Sequence, residues 1–471
     1  MLNPANPEFI SHLTNRFGTD LLRPDTGLYL EEPRKRIMGH AGAIIAPRNT
    51  REVSEILKFC NERQVGVIPF GGGTGLVGGQ IMSADQGPLP LILSMERMNQ
   101  LRNIFPSENV LIAEAGMTLS AVQDAAEQAD RLFPLSLASE GTCQIGGNLA
   151  TNAGGVNVLR YGNTRDLCLG VEAVLADGTI LNNLSRLSKD NTGYDLKNLL
   201  IGAEGTLGII TAASLRLSPR PARVGTAILV VRDPTAALEL LGRARDISGG
   251  GVSAFELISG TGMGFVRDTL PDIHQPFSDL PDWSVLVELG LPQALNPETL
   301  LEELFVAGAE AGLVSDGVIA QSLGQRAQLW SLREHIPAAN KKVGAIVSHD
   351  ISLPLSSLAD FIPQGMAKIA EIAPVRVNCF GHLGDGNLHY NVFPPAGEPC
   401  DSWAHMKEKI ERLVHDLVHE YGGSFSAEHG VGRMKAGELN RYADPAKRLM
   451  MQQIKLALDP RGIMNPGAVL A

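Results

Sequence analysis

Two histidines, His382 and His389, stand on either side of a glycine-rich turn. On a helix, seven residues would separate them by about 10 Å, and on one continuous strand they would lie on opposite faces. The Asp385-Gly386 pair between them favours a two-residue hairpin turn. A hairpin closed there would pair His382 with His389, with Cβ atoms about 5 Å apart, and would place Asn391 on the same face as His389. The spacing therefore predicts that both imidazoles can reach one divalent ion.

A third candidate ligand, Glu428, lies downstream in Ser426-Ala-Glu-His-Gly430. Two imidazoles, one carboxylate and an open fourth position are typical of a catalytic metal site rather than a structural one. A hydrogen-bonded histidine pair with no metal is the alternative. The residue types and spacing leave both interpretations open.

A second histidine pair, His415 and His419, has the i, i+4 spacing of a zinc-binding helix. The apolar stripe of the helix predicted over 402–421 leaves both on the face that carries Glu408 and Glu411. We therefore expect these histidines to be solvated and to bind no metal.

Three glycine-rich stretches indicate a large bound cofactor. The first, Gly71–Gly75, follows a strand predicted over 65–70 and concentrates backbone N–H groups that suit a pyrophosphate. It overlaps a formal G-x-G-x-x-G, but no helical period follows, which argues against a nicotinamide site. The other two, at 134–155 and 199–210, interleave glycine with Thr, Asn or Glu. Such loops allow a planar cofactor with a phosphate tail to approach the backbone closely.

Composition limits the class of protein. A chain of 471 residues with 44% apolar residues is expected to form two or three domains. Its net charge of −11 argues against nucleic acid as a partner. Five cysteines without C-x-x-C spacing suggest reduced thiols. With no secretory signal and no apolar stretch of membrane-spanning length in the sequence, we expect a cytoplasmic protein without a membrane span.

The order of predicted elements suggests where the domains meet. Short strands alternate with helices over about the first 215 residues, and Ser218-Pro-Arg-Pro221 is a rigid connector. Longer strands and helices follow. We predict a first domain over 1–221, a second over 222–449, and a C-terminal tail over 450–471 that returns to the first.

Six motifs occur in order along the chain and together resemble a known family. They are Gly71–Gly75, Gly146–Gly155, Gly202–Gly208, Gly381–Asn387, Glu428–Gly430 and Asn465–Gly467. In these motifs the chain resembles the vanillyl-alcohol-oxidase type flavoproteins. Within them it is similar to the metal-containing D-2-hydroxy-acid dehydrogenases, which include D-2-hydroxyglutarate and D-lactate dehydrogenases. The resemblance implies an α+β fold with a two-part FAD-binding domain and a substrate-binding cap domain with a large antiparallel sheet and helices.

The resemblance also implies FAD as cofactor, bound non-covalently because the first glycine loop has no histidine to attach it. Gly71–Gly75 would hold the pyrophosphate, Ile209 would meet the adenine side and Asn465 the isoalloxazine edge. The implied cofactor-binding residues are Gly71, Gly72, Gly73, Thr74, Gly75, Leu76, Gly141, Thr142, Gly146, Gly147, Asn152, Gly154, Glu204, Gly208, Ile209 and Asn465.

The same resemblance assigns the chemistry. His382, His389 and Glu428 would hold one divalent ion, for which Zn²⁺ suits the N/O ligands and Mn²⁺, Co²⁺ and Fe²⁺ are alternatives. His429 would be the catalytic base, a role that suits imidazole because its free pKa is about 6.5. His429 would also contact the substrate. Arg333 and Asn391 would also bind the substrate. The implied reaction oxidises a D-2-hydroxy acid to the 2-oxo acid by hydride transfer to flavin N5.

The substrate implied first is D-2-hydroxyglutarate, but two positions depart from that pattern. Pro337 and Ser348 stand where the hydroxyglutarate enzymes have a threonine and a lysine. D-lactate, a monocarboxylate, is therefore an alternative on the same scaffold. From another class, a metal-dependent hydrolase without flavin is the second alternative. The family further implies an electron acceptor such as an electron-transfer flavoprotein or a quinone, and it allows a homodimer.

Overall fold

The computed structural model describes residues 1–23 and 27–470. Its helices are α1 (Pro7–Phe17), α2 (Gly27–Leu30), α3 (Thr50–Arg63), α4 (Leu119–Gln128), α5 (Ile145–Thr151), α6 (Val158–Tyr161), α7 (Lys197–Leu200), α8 (Pro234–Ser248), α9 (Gly260–Thr269), α10 (Pro297–Glu310), α11 (Leu323–Val343), α12 (Leu355–Ile372), α13 (Lys407–Glu420), α14 (Ala436–Tyr442) and α15 (Pro445–Leu458). Its strands are β1 (Leu22–Arg23), β2 (Ala43–Ile45), β3 (Val67–Phe70), β4 (Leu91–Ser94), β5 (Leu101–Phe105), β6 (Val110–Glu114), β7 (Cys168–Val174), β8 (Ile180–Asn183), β9 (Ile209–Arg216), β10 (Arg223–Val231), β11 (Val252–Ser259), β12 (Trp283–Leu291), β13 (Val314–Ile319), β14 (Val347–Ser352), β15 (Arg376–His382) and β16 (Asn387–Phe393).

The chain divides into two compact units. Unit 1 comprises Met1–Gly154, Gly162–Arg220 and Glu428–Ala471, and unit 2 comprises Gly155–Tyr161 and Pro221–Ala427. The sequence predicts boundaries after residues 221 and 449, whereas the contacts change at 220/221 and the chain returns to unit 1 already at Glu428. The short segment Gly155–Tyr161, which contains α6, was predicted with the first domain and belongs to unit 2.

Unit 1 contains two sheets, as the two-part FAD domain predicts. A four-stranded sheet has the order β1-β2-β4-β3, in which β2, β4 and β3 run parallel, and a five-stranded antiparallel sheet has the order β5-β6-β9-β7-β8. Buried residues of α3, among them Val53, Ile56 and Leu57, pack in one core with β3 and β4. The C-terminal tail joins the same sheet, because the Val67 N–H donates to the Ile463 carbonyl at 2.8 Å. This pairing fixes the tail beside the glycine loop that follows β3.

Unit 2 is built on a seven-stranded sheet in the order β13-β10-β12-β11-β15-β16-β14, with every pair antiparallel. Side chains alternate across a strand, so Ala227 and Leu229 face one core while Ile228 faces another. Helices α8, α10, α12 and α13 contribute to the first core, and α9 and α11 to the second. The predicted α+β class, with a large antiparallel sheet and helices in the cap domain, is confirmed.

The glycine loop after β3 leads into a short 3₁₀ turn, Ala84–Gln86, and then into β4. No α-helix opens there, as expected from the rejected nicotinamide motif. Within residues 1–23 and 27–470, we find no helix that combines the length and the apolar character needed to span a membrane.

Candidate functional site

Unit 1 encloses a cavity of about 950 Å³, open mouth included, at the glycine loops. Its walls come from all three predicted stretches and from the returning tail. The predicted cofactor residues that line it are Gly71, Gly72, Gly73, Thr74, Gly75, Gly146, Gly147, Glu204, Gly208, Ile209 and Asn465. Sequence reasoning missed other lining residues, which include Gln80, Cys143, Gln144, Asn148 and Thr151.

Two glycines shape this cavity in different ways. A Cβ added to Gly72 would lie 2.1 Å from the Thr142 carbonyl oxygen and 2.8 Å from the Cα of Cys143. Gly72 therefore lets the first loop touch the second. A Cβ on Gly147, near the start of α5, would meet nothing within 4 Å. Gly147 leaves open space in the cavity wall where a planar ring system can approach the backbone.

Two buried amide oxygens in this wall fit a bound flavin. The side-chain oxygens of Gln144 and Asn148, Oε1 and Oδ1, accept no hydrogen bond from the described part of the chain. A buried acceptor without a donor costs about 1–3 kcal/mol, and an isoalloxazine ring carries an N–H that can supply one. These acceptors, together with the glycine walls, give the cavity the chemistry that FAD requires.

Five predicted cofactor residues do not line the cavity: Leu76, Gly141, Thr142, Asn152 and Gly154. Two of them, Leu76 and Asn152, take part in hydrogen bonds within unit 1 instead. The Leu76 carbonyl accepts from Arg36 Nη2 at 2.7 Å. Asn152 ends α5 in the left-handed conformation, and its Oδ1 accepts from the Arg165 N–H at 2.9 Å. These hydrogen bonds tie the first and second glycine-rich stretches to neighbouring residues.

A polar latch formed by Glu204, Arg433 and Asn465 holds the returning segment to the cavity wall. The Glu204 carboxylate accepts the N–H groups of Val431 and Gly432 at 2.7 and 2.8 Å. Burial raises the pKa of Glu204, although these two hydrogen bonds oppose the rise.

The other latch contacts run through Arg433 and Asn465. Arg433 donates to the carbonyls of Gly78 and Gly79 and to Asn465 Oδ1, and burial lowers its pKa to about 10. Asn465 Nδ2 donates to the Glu204 carbonyl at 2.7 Å. The Asn465 amide is therefore engaged by protein, while the residue still lines the cavity.

Glu428 and His429 open this latched segment of unit 1. His429, the predicted base, lines the cavity directly. The following Gly430 has φ +78°, and a Cβ there would lie 2.8 Å from Glu204 Oε1. The backbone directly after His429 therefore requires glycine at position 430.

The histidine hairpin lies in unit 2, but its predicted register is wrong by two residues. His389 pairs with Phe380, and not with His382. The reason is a 3₁₀ turn, Leu383–Asp385, that replaces the two-residue turn and ends at Gly386 with φ +87°. A shift of two residues keeps each side chain on its face. The rings of His382 and His389 therefore still meet, with centroids 5.6 Å apart.

A buried carboxylate that sequence reasoning missed, Glu256 on β11, holds this cluster together. It is the register partner of His382, and its Oε1 lies 2.8 Å from His382 Nδ1. Its Oε2 accepts from Arg333 Nε at 2.9 Å and forms an ion pair with Nη2 at 2.8 Å. Burial alone would raise the pKa of Glu256, but the charges of His382 and Arg333 and their hydrogen bonds lower it to about 2.

Arg333 on α11 is the predicted substrate arginine, and it is 6% exposed. Its guanidinium stacks over Phe380, with the carbon 4.9 Å from the ring centroid. Glu256 engages Nε and Nη2, whereas Nη1 donates no hydrogen bond to the described part of the protein. One edge of the guanidinium is thus fixed and the other is available for a carboxylate.

Asn391 on β16 is buried, and its Oδ1 accepts from the His349 N–H at 3.2 Å. It lies two residues from His389 and shares that face of the sheet. Pro337 lies inside α11, and Ser348 is exposed on β14 opposite Asn391.

The expectation that His415 is solvated is wrong. It is 3% exposed, and its Nε2 lies 3.3 Å from Nδ1 of the buried His349. The packed face of α13 runs through Ile410, Val414 and Leu417 and is wide enough to include His415. His419 is exposed, as predicted.

The ring nitrogens of the His382–His389 pair suit a divalent ion. Their ligand atoms lie within 4.8 Å of one another. A metal-bound histidine usually hydrogen-bonds through its second ring nitrogen to a carboxylate or carbonyl. The Glu256–Nδ1 contact has that form and leaves Nε2 as the nitrogen that could bind an ion. The imidazole donors fit first-row divalent ions.

Comparisons with known proteins agree with this architecture. The family model for an FAD binding domain matches residues 41–183, and the model for the C-terminal domain of FAD linked oxidases matches residues 220–469. The mitochondrial D-2-hydroxyglutarate dehydrogenase of Arabidopsis thaliana is 38% identical over 432 residues, 92% of this chain and 75% of that protein. A putative mitochondrial D-lactate dehydrogenase of Schizosaccharomyces pombe is 36% identical over 442 residues, 91% of this chain and 81% of that protein.

Among solved structures, p-cresol methylhydroxylase with substrate bound matches with a TM-score of 0.73 and 16% identity, over 98% of this chain and 96% of that one. At that identity the match supports the vanillyl-alcohol-oxidase type fold alone. The two family models and the sequence relatives carry the assignment further. The chain belongs to the FAD-linked oxidase family, in the group that contains the D-2-hydroxyglutarate dehydrogenases, and is an FAD-dependent oxidoreductase.

Proposed function

We propose that this protein oxidises a D-2-hydroxy acid to the 2-oxo acid, using FAD and one divalent metal ion. The observation that carries the proposal is the cluster in unit 2, where two metal-suited imidazoles and a buried arginine share one face of a sheet. A 2-hydroxy acid has a hydroxyl and a carboxylate on neighbouring carbons, which can chelate such an ion while an arginine binds the carboxylate. The relatives named as D-2-hydroxyglutarate and D-lactate dehydrogenases support this substrate class.

We infer that His382 and His389 are two of the ligands and Glu428 the third. The support for Glu428 comes from the chain that precedes it. The Ala427 N–H donates to the Asp350 carbonyl at 3.3 Å, and Asp350 is the register partner of His389. Consecutive Cα atoms are about 3.8 Å apart, so Glu428 begins one residue beyond a point fixed next to the His389 strand.

The residues of the chain have separate tasks in the proposed reaction. When bound, the ion would polarise the substrate hydroxyl, and FAD would supply the acceptor for the hydride that leaves the substrate Cα. Arg333 binds the substrate carboxylate through Nη1, and Asn391 orients the substrate from the His389 face of the sheet. His429, in the wall of the flavin cavity, accepts the hydroxyl proton on its imidazole.

The substrate proposed first is D-2-hydroxyglutarate, on the strength of the named relatives. D-Lactate is the second candidate, and a specific observation favours it. The positions that carry a threonine and a lysine in the resembled hydroxyglutarate enzymes are Pro337, inside α11, and the exposed Ser348. Neither side chain can bind a second carboxylate by charge.

The experiment is anaerobic reduction of the FAD-loaded protein by a matched set of acids, read as loss of the flavin's visible absorbance. D- and L-2-hydroxyglutarate test stereochemistry, and D-lactate tests the need for a second carboxylate. We expect rapid bleaching by D- but not L-acids. A protein that no D-2-hydroxy acid bleaches would overturn the proposal, and faster bleaching by D-lactate would assign the monocarboxylate. Membership of an FAD family already argues against the flavin-free hydrolase.

Three further features stay predictions. They are an electron-transfer flavoprotein or quinone as electron acceptor, a homodimer, and a cytoplasmic location. Reoxidation of the bleached protein by each purified acceptor, size determination in solution and fractionation of the source cells test them in turn.

A further inference from the structure

We propose that Glu256 is a positioning residue that fixes His382 and Arg333 together, so that one carboxylate sets both metal affinity and substrate affinity. The inference rests on the proposed function, because it takes His382 as a metal ligand and Arg333 as the group that binds the substrate carboxylate. No sequence motif contains Glu256, which lies 126 residues before His382 in the chain.

The position is defined by the fold rather than by flexible side chains. Strands β11 and β15 pair Glu256 directly with His382. Arg333 reaches the same carboxylate from α11, where the Phe380 ring lies beneath its guanidinium. Glu256 and Arg333 are almost fully buried, with side-chain exposures of 1% and 7%. Three elements of unit 2 thus converge on one carboxylate.

A buried carboxylate is costly enough to need a reason. Moving a charged group out of water costs several kcal/mol even after the protein relaxes. The neighbours of Glu256 on β11, Leu257 and Ile258, are fully buried and apolar. An apolar residue at 256 would pack the sheet without that cost, so the carboxylate is better explained by what its two oxygens hold.

Each oxygen has one task. Oε1 accepts from His382 Nδ1, which selects the ring tautomer and orientation that present Nε2 to an ion. Oε2 takes Nε and Nη2 of Arg333, which aims the Nη1 edge away from Glu256. Since both partners share one rigid group, a change at Glu256 must disturb the metal ligand and the substrate arginine together. A change at Arg333 alone disturbs only substrate binding.

Unit 2 offers a matched control in Glu288 on β12. It is 8% exposed, and its Oε2 accepts from Arg326 Nε, Trp330 Nε1 and Thr226 Oγ1. It is therefore another buried carboxylate in the same sheet with an arginine and further donors, but with no histidine partner among these contacts.

The test compares Glu256→Gln, Glu256→Asp and Glu288→Gln in the full-length, FAD-loaded protein. Zn²⁺ affinity is measured by competition with a chromogenic chelator, which needs no turnover. Substrate affinity is measured at saturating Zn²⁺, as the KM for the D-hydroxy acid that bleaches the wild type. We expect Glu256→Gln to weaken Zn²⁺ binding 10- to 100-fold, the range known for such supporting residues, and to raise KM by more than it lowers kcat.

Glu256→Asp keeps the charge and should recover part of the Zn²⁺ affinity and of the substrate affinity. If the glutamine variant fails to fold, the aspartate variant is compared with the wild type in its place. Glu288→Gln should change neither affinity by more than about twofold, although its thermal stability will fall. Wild-type Zn²⁺ affinity in Glu256→Gln would overturn the role of Glu256 and leave the proposed function standing. A wild-type protein that takes up no divalent metal would overturn both. Metal binding that depends on Glu256, without any bleaching by hydroxy acids, would overturn the proposed reaction and the substrate half of the inference, and would support its metal half.

Discussion

Two glycines that line the flavin cavity, with a third outside it as control, provide the sharpest test of how the cavity is built. Gly72→Ala would place a Cβ 2.1 Å from the Thr142 carbonyl oxygen, about 1 Å closer than atoms tolerate. The first and second loops would have to separate, which costs about 1–3 kcal/mol of stability. Because both loops line the cavity, we expect FAD affinity to fall about 10-fold or more, since each 1.4 kcal/mol corresponds to about tenfold.

Gly147→Ala should weaken FAD binding without lowering the stability of the FAD-free protein. Its Cβ meets no protein atom within 4 Å, and Gly147 lies in helix α5. In the FAD-free protein, alanine should therefore be neutral or stabilise the helix by up to about 1 kcal/mol. The new methyl group nevertheless occupies the cavity, so FAD should bind about 10-fold more weakly. Gly141 also has open space around it but does not line the cavity, so Gly141→Ala should change neither quantity.

The assays are denaturant unfolding of the FAD-free protein and titration with FAD, followed by quenching of flavin fluorescence. The predicted pattern is stability lost and affinity lost for Gly72→Ala, stability kept and affinity lost for Gly147→Ala, and no change for Gly141→Ala. Wild-type FAD affinity in Gly147→Ala would show that the flavin does not occupy this cavity. If FAD affinity fell only in Gly141→Ala, the flavin would have to bind near Gly141 and not in this cavity.

Three further changes test separate parts of the account. Lys455→Met should lower the free energy of unfolding by about 2–3 kcal/mol in denaturant unfolding, because the mostly buried ammonium holds the tail and is the counter-charge of the buried Asp459 carboxylate. The exposed control Lys447→Met should change it by no more than about 0.5 kcal/mol, and equal losses in the two variants would contradict this. Burial would raise the pKa of Glu32, but its hydrogen bonds with Arg36 lower that pKa below the usual 4.5. The ionised carboxylate therefore stabilises the fold above pH 4.5, and this contribution is lost as the pH falls further. The difference in unfolding free energy between wild type and Glu32→Gln should shrink on acidification, and a constant difference would refute the assignment. Arg333→Lys should raise KM for the hydroxy acid roughly 10- to 100-fold with unchanged metal content, because lysine lacks the planar group that can hold Glu256 with one edge and the substrate carboxylate with the other. A loss of bound metal instead would show that the residue serves the ion.

The glycine loops were predictable from sequence because their chemistry is local. Runs of glycine after a strand expose backbone N–H groups wherever the rest of the chain goes, and most of the predicted residues line the cavity. A local pattern was also enough to predict that His382 and His389 come together, but the register of their strands could not be predicted locally. The 3₁₀ turn is set by contact with Leu353, whose N–H donates to the Gly386 carbonyl at 3.0 Å and whose carbonyl leaves no room for a Cβ at Gly386.

Residues that act through distant partners were invisible in the sequence. Glu256 lies in an ordinary apolar strand, and only the order of strands in the sheet brings it to His382. The burial of His415 depends on His349, 66 residues away. The latch made by Glu204 and Arg433 likewise depends on where the tail returns. Periodicity reports a helix face or a strand face, whereas these contacts are decided by tertiary packing.

The central claim is that a divalent ion held by His382 and His389 is required for the flavin to oxidise the substrate. The most direct test strips the FAD-loaded protein with a chelator, confirms that FAD remains bound, and mixes it anaerobically with a D-2-hydroxy acid before and after Zn²⁺ is restored. We predict no bleaching of the stripped protein and recovery on adding Zn²⁺ to the wild type, but not to His382→Ala or His389→Ala. Bleaching at the wild-type rate by fully metal-free protein would contradict the account.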